Sequence, residues 1–362
     1  MPNRIFNFSA GPCTLPLPAL EKAQAEFVDY QSAGMSLIEM SHRGEHYDSV
    51  HYEALDGIRE VLAVPDNHDI MFIQGGATLQ FGMVPLNLMT SGKTAEFLNT
   101  GTWVKKAIAD AEKLGPIRIL WTGEADNFTR MPADDEYQVS ADSAYVHICG
   151  NETIGGIEYH SYPDTVAVPL VADMSSHIMS RPIEWEKLDL AFAGAQKNLG
   201  PAGLALVIIR KTLLEQCRDD LPAYLSYKIH AGKDSLYNTP PVFAIYMMKL
   251  TVDWVKEQGG LAEMEKRALE RSGALYETID RSEGWYRCPV DTASRSRMNV
   301  CFRLPTEELE AKFIAEALEA NFSGLKGHRS VGGCRASMYN AMPVEGAERL
   351  AEFMLEFKQK NA

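Results

Sequence analysis

Strand-like and helix-like segments alternate along most of this 362-residue chain, and the alternation constrains its fold more than any other feature. From about Leu17 to Met264, short apolar runs rich in branched residues are followed by stretches with helical periodicity. Such alternation is typical of an α/β fold in which helices flank a mostly parallel sheet. We therefore expect one large domain built around such a sheet.

The later part of the chain has a different pattern, which is typical of a smaller α+β domain. An amphipathic stretch over residues 251–278 predicts a long helix that is interrupted at Gly259 and Gly260 and then resumes. Beyond it, the sequence predicts a strand over 298–303, a helix over 306–321 and a terminal helix from about Gly346. The length agrees with roughly two domains. We predict an N-terminal segment (1–16) that packs with the small domain, a large domain (17–264) and a small domain (265–362).

Composition narrows the possible partners. The net charge of −14 at pH 7 argues against a nucleic-acid-binding protein, which needs a broad basic surface. No run approaches the ~18 uninterrupted apolar residues of a membrane span, and the first residues lack the apolar core of a signal peptide. The six cysteines are dispersed without C-x-x-C pairing, which suits reduced thiols. We expect a cytoplasmic protein that binds small molecules rather than nucleic acid or a membrane.

Lys197 is the only cation within residues 188–209, where it lies between two apolar runs that are typical of buried strands. Burial makes a charged lysine costly, which lowers its pKa and makes the neutral, nucleophilic amine more accessible. A Schiff-base lysine needs this property. The alternative is a strand-end lysine whose amine reaches solvent, and the segment alone does not decide between them.

Asp173 ends another apolar run and precedes Lys197 by 24 residues. This spacing fits one strand and its connection, so both side chains could lie at the carboxyl edge of one sheet, where open α/β sheets bind ligands. The pair suggests pyridoxal phosphate, because the lysine would form an imine with it and the carboxylate would keep its pyridine nitrogen protonated. Asp173 could instead cap the turn that follows it.

A candidate phosphate site follows the strand-like run over residues 70–73. Gly75 and Gly76 come next, and Ala77 and Thr78 begin a helix-compatible continuation. Glycines let the backbone approach a ligand closely, and a helix start offers free N–H groups and a positive dipole end to an anion. The pattern is neither a dinucleotide fingerprint nor a Walker loop, which disfavours those ligands. Taken alone, a Gly-Gly pair is more often a plain turn.

Two further segments place polar or aromatic groups just after apolar runs. Trp103 follows one of them, where its indole could stack on a flat heteroaromatic ring. Asn151 and Thr153 follow another, and their amide and hydroxyl groups suit a phenolic oxygen. A place in the core or in a turn is about as compatible with each local sequence.

Several longer motifs occur in a fixed order along the chain. They are FNFSAGPCTLP (6–16), HRG (42–44), GGATLQF (75–81), GAQKNLGPAG (194–203), YNTPP (237–241) and GHRSVGGCRASMYNA (327–341). The ordered set spans essentially the whole chain and resembles the phosphoserine aminotransferase family, in the class V group of aminotransferases. The resemblance implies a pyridoxal-phosphate enzyme of fold type I, with a large domain around a mostly parallel seven-stranded sheet and a smaller α+β domain.

The resemblance also implies an activity and an assembly. The reaction would be reversible transamination of 3-phosphohydroxypyruvate with glutamate to O-phosphoserine and 2-oxoglutarate, in serine biosynthesis. Some bacterial members of the family also act on a phosphorylated hydroxythreonine in pyridoxine biosynthesis. The enzyme would be a homodimer with its active sites at the subunit interface.

Site residues follow from the resemblance, motif by motif. The cofactor would be held by Gly76, Ala77, Thr78, Trp103, Thr153, Asp173, Gln196 and Lys197 of one subunit and by Asn238 and Thr239 of the other. Lys197 and Asp173 would be the catalytic pair. The substrate would be bound by Ser9, His42, Arg43, His328, Arg329 and Arg335, with Arg335 on the α-carboxylate. Each His-Arg pair offers a bidentate guanidinium and an imidazole to phosphate oxygens, although either pair could be plain surface charge.

Two other chemistries compete with this assignment. The histidines at 42, 46 and 51, with acidic neighbours, could be a metal cluster, but they lack the H-E-x-x-H spacing, and we expect no metal. Cys334 could be a nucleophile of the cysteine desulfurase kind, but its surroundings match the aminotransferases, and we interpret it as a small core residue. A different class V enzyme, such as a small-amino-acid aminotransferase, stays the alternative. A binding protein without activity is disfavoured by the full polar set around Lys197.

Overall fold

The computed structural model describes residues 4–90 and 92–362, so the first three residues of the predicted N-terminal segment lie outside the described part. The helices are α1 (Leu17–Ala25), α2 (Glu45–Val61), α3 (Gly76–Leu88), α4 (Thr102–Ala111), α5 (Lys211–Glu215), α6 (Tyr227–Ala231), α7 (Val242–Glu257), α8 (Gly260–Asp280), α9 (Glu307–Glu319) and α10 (Val344–Asn361). The strands are β1 (Phe6–Asn7), β2 (His68–Gln74), β3 (Ala95–Asn99), β4 (Ile117–Thr122), β5 (Tyr145–Cys149), β6 (Asn151–Glu152), β7 (Ile157–Glu158), β8 (Leu170–Asp173), β9 (Leu190–Gly194), β10 (Leu204–Arg210), β11 (Asn299–Phe302), β12 (Phe322–Ser323) and β13 (Cys334–Ser337).

A seven-stranded sheet with the order β2-β10-β9-β8-β5-β3-β4 forms the centre of the molecule. The four pairs from β9 to β4 are parallel, whereas β10 is antiparallel to both of its neighbours. The prediction of a mostly parallel sheet is therefore confirmed, with β10 as the exception. The connection over residues 195–203 is shorter than the dozen or so residues that a parallel crossover needs.

Both faces of this sheet are covered, which explains why its strands are nearly continuous apolar runs. Along β10, Leu204, Leu206 and Ile208 point into a core shared with α1, α2 and α7. Val207 and Ile209, on the other face of the same strand, pack with α3 and α4.

A third core lies in the C-terminal part of the chain. It joins side chains of α8, α9 and α10 to the short antiparallel pair β11–β13. The N-terminal segment joins this core, because β1 pairs in parallel with β12 and Phe8 is fully buried there. Within the part of the chain that the structure describes, no helix combines the length and apolar character of a membrane-spanning segment.

The helix predicted over 251–278 is two helices that meet at the two glycines. α7 begins earlier than predicted, at Val242, and α8 begins at Gly260 after Gly259 adopts a left-handed backbone with φ of 104°. The terminal helix also begins before the predicted Gly346, at Val344, with Pro343 at the N-cap position. The strand and the helix predicted between them are observed as β11 and α9.

Candidate active site

The candidate site lies where β8 and β9 end side by side in the central sheet. Asp173 is the last residue of β8 and is in register with Phe192 of β9, and Lys197 follows just beyond the end of β9. Both side chains line one cavity of about 310 Å³. Seven of the residues predicted to hold a cofactor line this cavity: Gly76, Ala77, Thr78, Trp103, Asp173, Gln196 and Lys197. We call it the lysine cavity.

Lys197 is buried, with 7% of its surface exposed. Its Nζ donates a hydrogen bond of 2.6 Å to the hydroxyl of Thr153 and lies 5.6 Å from the centre of the Trp103 ring. Burial lowers the pKa of Lys197, and the nearby Asp173 carboxylate opposes this shift. The amine is therefore easier to deprotonate than that of a solvated lysine.

The carboxylate of Asp173 is held by the residue two positions further along the chain. Its Oδ1 accepts hydrogen bonds from the backbone N–H of Ser175 at 2.8 Å and from the Ser175 hydroxyl at 2.6 Å. The same hydroxyl accepts from the N–H of Gly194 at 3.0 Å, which ties the ends of β8 and β9 together. Burial raises the pKa of Asp173, while the Ser175 hydroxyl and the charge of Lys197 lower it. Asp173 thus caps its turn and also lines the cavity.

The glycine turn predicted as a phosphate site joins β2 to α3. Gly75 is the N-cap of α3 and has a left-handed backbone with φ of 95°, and Gly76 has φ of 63°. A Cβ atom at Gly76 would meet no other atom within 4 Å, so the start of α3 faces open space in the lysine cavity. Free N–H groups at this helix start can bind an anion.

Trp103 is carried into the cavity by the first turn of α4. The backbone N–H groups of Trp103 and Val104 both donate to the carboxylate of Glu152, at 3.2 and 3.3 Å to its Oε1. Glu152 is 1% exposed, and burial raises its pKa to about 7. The indole Nε1 of Trp103 is buried and has no hydrogen-bond partner among the described residues.

A second cavity of about 530 Å³ lies beside the start of α4, and we call it the basic cavity. Its lining includes Lys105, Arg303, His328 and Arg335 and contains no Asp or Glu. Arg335 donates from Nη1 to the backbone oxygen of Thr153 at 3.2 Å. Because the Thr153 hydroxyl accepts from Lys197, this one residue connects the two cavities.

The other predicted site residues do not line either cavity within the described chain. His42 and Arg43 lie in the loop before α2, and the buried Nε2 of His42 has no hydrogen-bond partner there. Asn238 and Thr239 precede α7, where the Thr239 carbonyl accepts from Gln74 Nε2 at 2.9 Å. Ser9 lies next to Gly324, and Arg329 is exposed in the loop before β13. A single chain therefore does not bring the whole predicted set together.

Asn151 and Cys334, two candidate functional residues from the sequence, have buried side chains with structural roles. The amide nitrogen of Asn151 donates to Ser176 Oγ at 2.6 Å and to Asn299 Oδ1 at 2.8 Å, so its donors are already used. Cys334 is 2% exposed within β13, and burial raises the pKa of its thiol well above the usual range. A buried, protonated thiol is a poor nucleophile.

Several residues of the site were missed in the sequence. Glu152 and Ser175 hold the start of α4 and the Asp173 carboxylate, and Gly11 and Pro12 line the lysine cavity. The Ser175 contact had a local signal, because an Asp often accepts the N–H two residues on. The contacts of Glu152 and of the N-terminal segment are long-range, and no local pattern indicates them.

The fold and the site define a class of protein, the pyridoxal-phosphate-dependent aminotransferases. Residues 5–350 match the family described as aminotransferase class V, and the chain belongs to that family. It is 51% identical over 359 residues to the phosphoserine aminotransferase of Geobacillus kaustophilus, with 99% of each chain covered. The solved phosphoserine aminotransferase from Bacillus circulans subsp. alkalophilus superposes with a TM-score of 0.97 at 46% identity, covering 99% of each chain. The pyridoxal-phosphate-bound enzyme from Trichomonas vaginalis gives a TM-score of 0.92 at 41% identity, covering 97% of this chain and 100% of that one.

The residues of the lysine cavity fit the cofactor of this family. The buried amine of Lys197, the buried carboxylate of Asp173 and the flat ring of Trp103 are the groups that a pyridine aldehyde requires. The open space at Gly76 at the start of α3 suits its phosphate. The donor set of this chain therefore agrees with pyridoxal phosphate.

Proposed function

We propose that this chain catalyses the reversible transamination of 3-phosphohydroxypyruvate with L-glutamate to O-phospho-L-serine and 2-oxoglutarate. The observation that carries the proposal is the connection, through Thr153, between a cavity that contains Lys197 and one lined by basic residues without an acidic one. Two relatives named phosphoserine aminotransferase, 51% and 52% identical over 99% of this chain, support the same substrates. The reaction would serve serine biosynthesis, and a phosphorylated hydroxythreonine is a further candidate substrate for pyridoxine biosynthesis.

The cofactor-binding residues would act as follows. Gly76, Ala77 and Thr78, at the start of α3, would bind the phosphate through backbone N–H groups, and Gln196 would add a side-chain contact. Trp103 would stack on the ring, and Asp173 would bind its nitrogen as a carboxylate. When bound, the cofactor would supply an electron sink and an acceptor for the amino group.

Lys197 has two tasks in the proposed reaction. Its neutral amine would hold the cofactor, and burial favours that neutral form. When a substrate amine is bound in its place, the free Lys197 amine would act as the base that takes the proton from the substrate Cα atom. The Thr153 hydroxyl, 2.6 Å from Nζ, would orient the amine during this step.

The substrate would lie between the two cavities. Arg335, which is 9% exposed, would bind the α-carboxylate with its unpartnered Nε. Ser9 would lie close to that carboxylate. The pairs His42–Arg43 and His328–Arg329 would bind the phosphate of phosphoserine or the side-chain carboxylate of glutamate.

We propose that the working unit is a homodimer in the cytoplasm. The segment between α1 and α2 exposes Phe27 (46%), Val28 (79%), Met35 (45%) and Ile38 (51%), and a second copy would cover them. His42 and Arg43 follow this segment, so the same contact would deliver them to the partner's site. Asn238 and Thr239 would reach the partner's cofactor phosphate in the same way. All six cysteines are free, which suits a reducing compartment.

A substrate panel with a double variant tests the proposal. Removing two charge-assisted contacts to the phosphate dianion, by Arg43→Ala with Arg329→Ala, costs about 3 to 6 kcal/mol. This loss corresponds to about two to four powers of ten in kcat/KM for phosphoserine. Alanine, a poor neutral donor, should change little. If alanine or cysteine is the better substrate of the wild-type enzyme, or if all donors lose equally, another class V activity replaces this one.

A further inference from the structure

Two adjacent lysines on α4 have different surroundings. Lys105 forms a salt bridge of 2.7 Å with Glu124, and its Nζ lies 4.6 Å from the centre of the Phe128 ring. Lys106 forms no salt bridge with any residue that the structure describes, and its Nζ lies 4.4 Å from the centre of the Trp103 ring. Lys105 therefore has a counter-ion, whereas Lys106 has none among the described residues.

Lys106 lies on α4, a helix that contributes residues to both cavities, although Lys106 itself lines neither of them. It is one helical turn after Trp103, which lines the lysine cavity. Thr102, at the start of the same helix, lines the basic cavity. Burial lowers the pKa of the His328 imidazole, and the positive charges of Arg335, Arg329 and Lys106 lower it further.

These neighbours form a group of cations without counter-ions. Arg329, Arg335 and Lys106 have no acidic partner among the described residues, and the Nε of Arg335 is buried without any partner. Like charges that face one site repel one another unless an anion lies between them.

We propose that Lys106 is a further binding residue for the phosphate group of the substrate, beside His328 and Arg329. A phosphate monoester carries nearly two negative charges at pH 7 and a carboxylate carries one. An additional cation therefore favours phosphoserine over glutamate, and Lys106 sets part of that preference. The inference rests on the proposed function and adds a residue that determines specificity.

The test compares variants of the full-length holoenzyme. Lys106→Met keeps the unbranched stem beside Trp103 and removes the charge, and Lys106→Arg keeps the charge. Lys113→Met is the charge-matched control, because that lysine is paired with Asp110. KM and kcat are measured for phosphoserine and for glutamate, and the Kd of inorganic phosphate is measured by titration calorimetry.

We expect Lys106→Met to raise KM for phosphoserine and the Kd of phosphate about threefold to tenfold, since Lys106 is exposed and screened by solvent. KM for glutamate should rise less, kcat should stay within about twofold, and Lys106→Arg should restore most of the affinity. The difference between Lys106→Met and the wild type in KM for phosphoserine should become smaller in 1 M salt. Values for Lys106→Met that equal those of Lys113→Met, or equal losses for both donors, overturn the inference. Wild-type enzyme that does not turn over phosphoserine overturns the proposed function instead.

Discussion

The ionisation of Asp173 depends on one hydroxyl group. Burial raises the pKa of this carboxyl, and the hydrogen bond from the Ser175 hydroxyl lowers it. Because the cofactor nitrogen needs an anionic partner, the affinity for cofactor should fall as the pH falls through the pKa of Asp173. Ser175 therefore helps to set the lowest pH at which the cofactor binds well.

Ser175→Ala tests this dependence. The variant loses the hydroxyl contact and keeps the backbone N–H contact, so the pKa of Asp173 should rise further. The Kd of pyridoxal phosphate should begin to weaken at a higher pH than in the wild type, with little change on the alkaline side. Equilibrium dialysis at a series of acidic pH values measures this Kd. Ser176→Ala is the control, because the Ser176 hydroxyl donates to the backbone oxygen of Asn151 and not to Asp173. Superimposable pH profiles for wild type and Ser175→Ala would contradict the account.

At the scale of elements, the start of α4 is held by a carboxylate that is almost fully buried. Burial raises the pKa of Glu152 from 4.5 to about 7 in the folded protein. The folded state then binds a proton that the unfolded state has already released, so stability falls as the pH rises through this window. The shift is worth about 3 kcal/mol at ~1.4 kcal/mol per pH unit.

Glu152→Gln removes the titration and keeps an oxygen that can accept from Trp103 and Val104. Relative to this variant, the wild type should lose about 3 kcal/mol of stability as the pH rises from 4.5 to 7. Below pH 4.5 the two proteins should differ by a constant amount. Chemical denaturation of the two apoproteins across this pH range measures their free energies of unfolding. If the two free energies depend on pH in the same way, the carboxyl of Glu152 does not titrate there.

Two glycines in α3 allow the effect of a substitution on cofactor binding to be distinguished from its effect on stability. Gly76→Ala adds a methyl group into open space that we assign to the cofactor phosphate, at a left-handed position that costs about 1–2 kcal/mol for Ala. We expect the Kd of pyridoxal phosphate to rise at least about tenfold. Gly82→Ala, inside the same helix, also meets no atom within 4 Å and should stabilise by about 1 kcal/mol without changing the Kd. Equal Kd values for the two variants would show that the phosphate binds elsewhere.

Particular residues show how far the sequence predicts this structure. The apolar runs around Lys197 and before Asp173 predicted buried strands of one sheet, because a sheet covered on both faces loses the alternation of apolar and polar residues. The reversed direction of β10 was not predicted, although the short connection that precedes it requires an antiparallel pair. Glu152 was not recognised as the carboxylate that holds α4, because that contact joins segments about 50 residues apart and leaves no local pattern.

At the scale of the whole molecule, the proposed dimer explains why one chain leaves His42, Arg43, Asn238 and Thr239 outside both cavities. Mixed dimers of Lys197→Ala and an Asn238→Ala, Thr239→Ala double variant should each contain one intact site. Two nearly inactive proteins should therefore regain up to about a quarter of wild-type activity after subunit exchange, from random pairing. Activity after mixing differently tagged chains, with exchange verified by pull-down, checks this. No recovery despite complete exchange would place all cofactor contacts within one chain.

In the proposed reaction, Lys197 and the basic cavity together carry out transamination of phosphoserine. The most direct measurement is the visible absorption spectrum of the purified holoenzyme during titration with phosphoserine in the absence of any keto acid. The account predicts loss of the visible band of the lysine-bound cofactor, with one pyridoxamine phosphate and one 3-phosphohydroxypyruvate formed per site. A band that phosphoserine leaves unchanged, while alanine or cysteine removes it, would contradict the account.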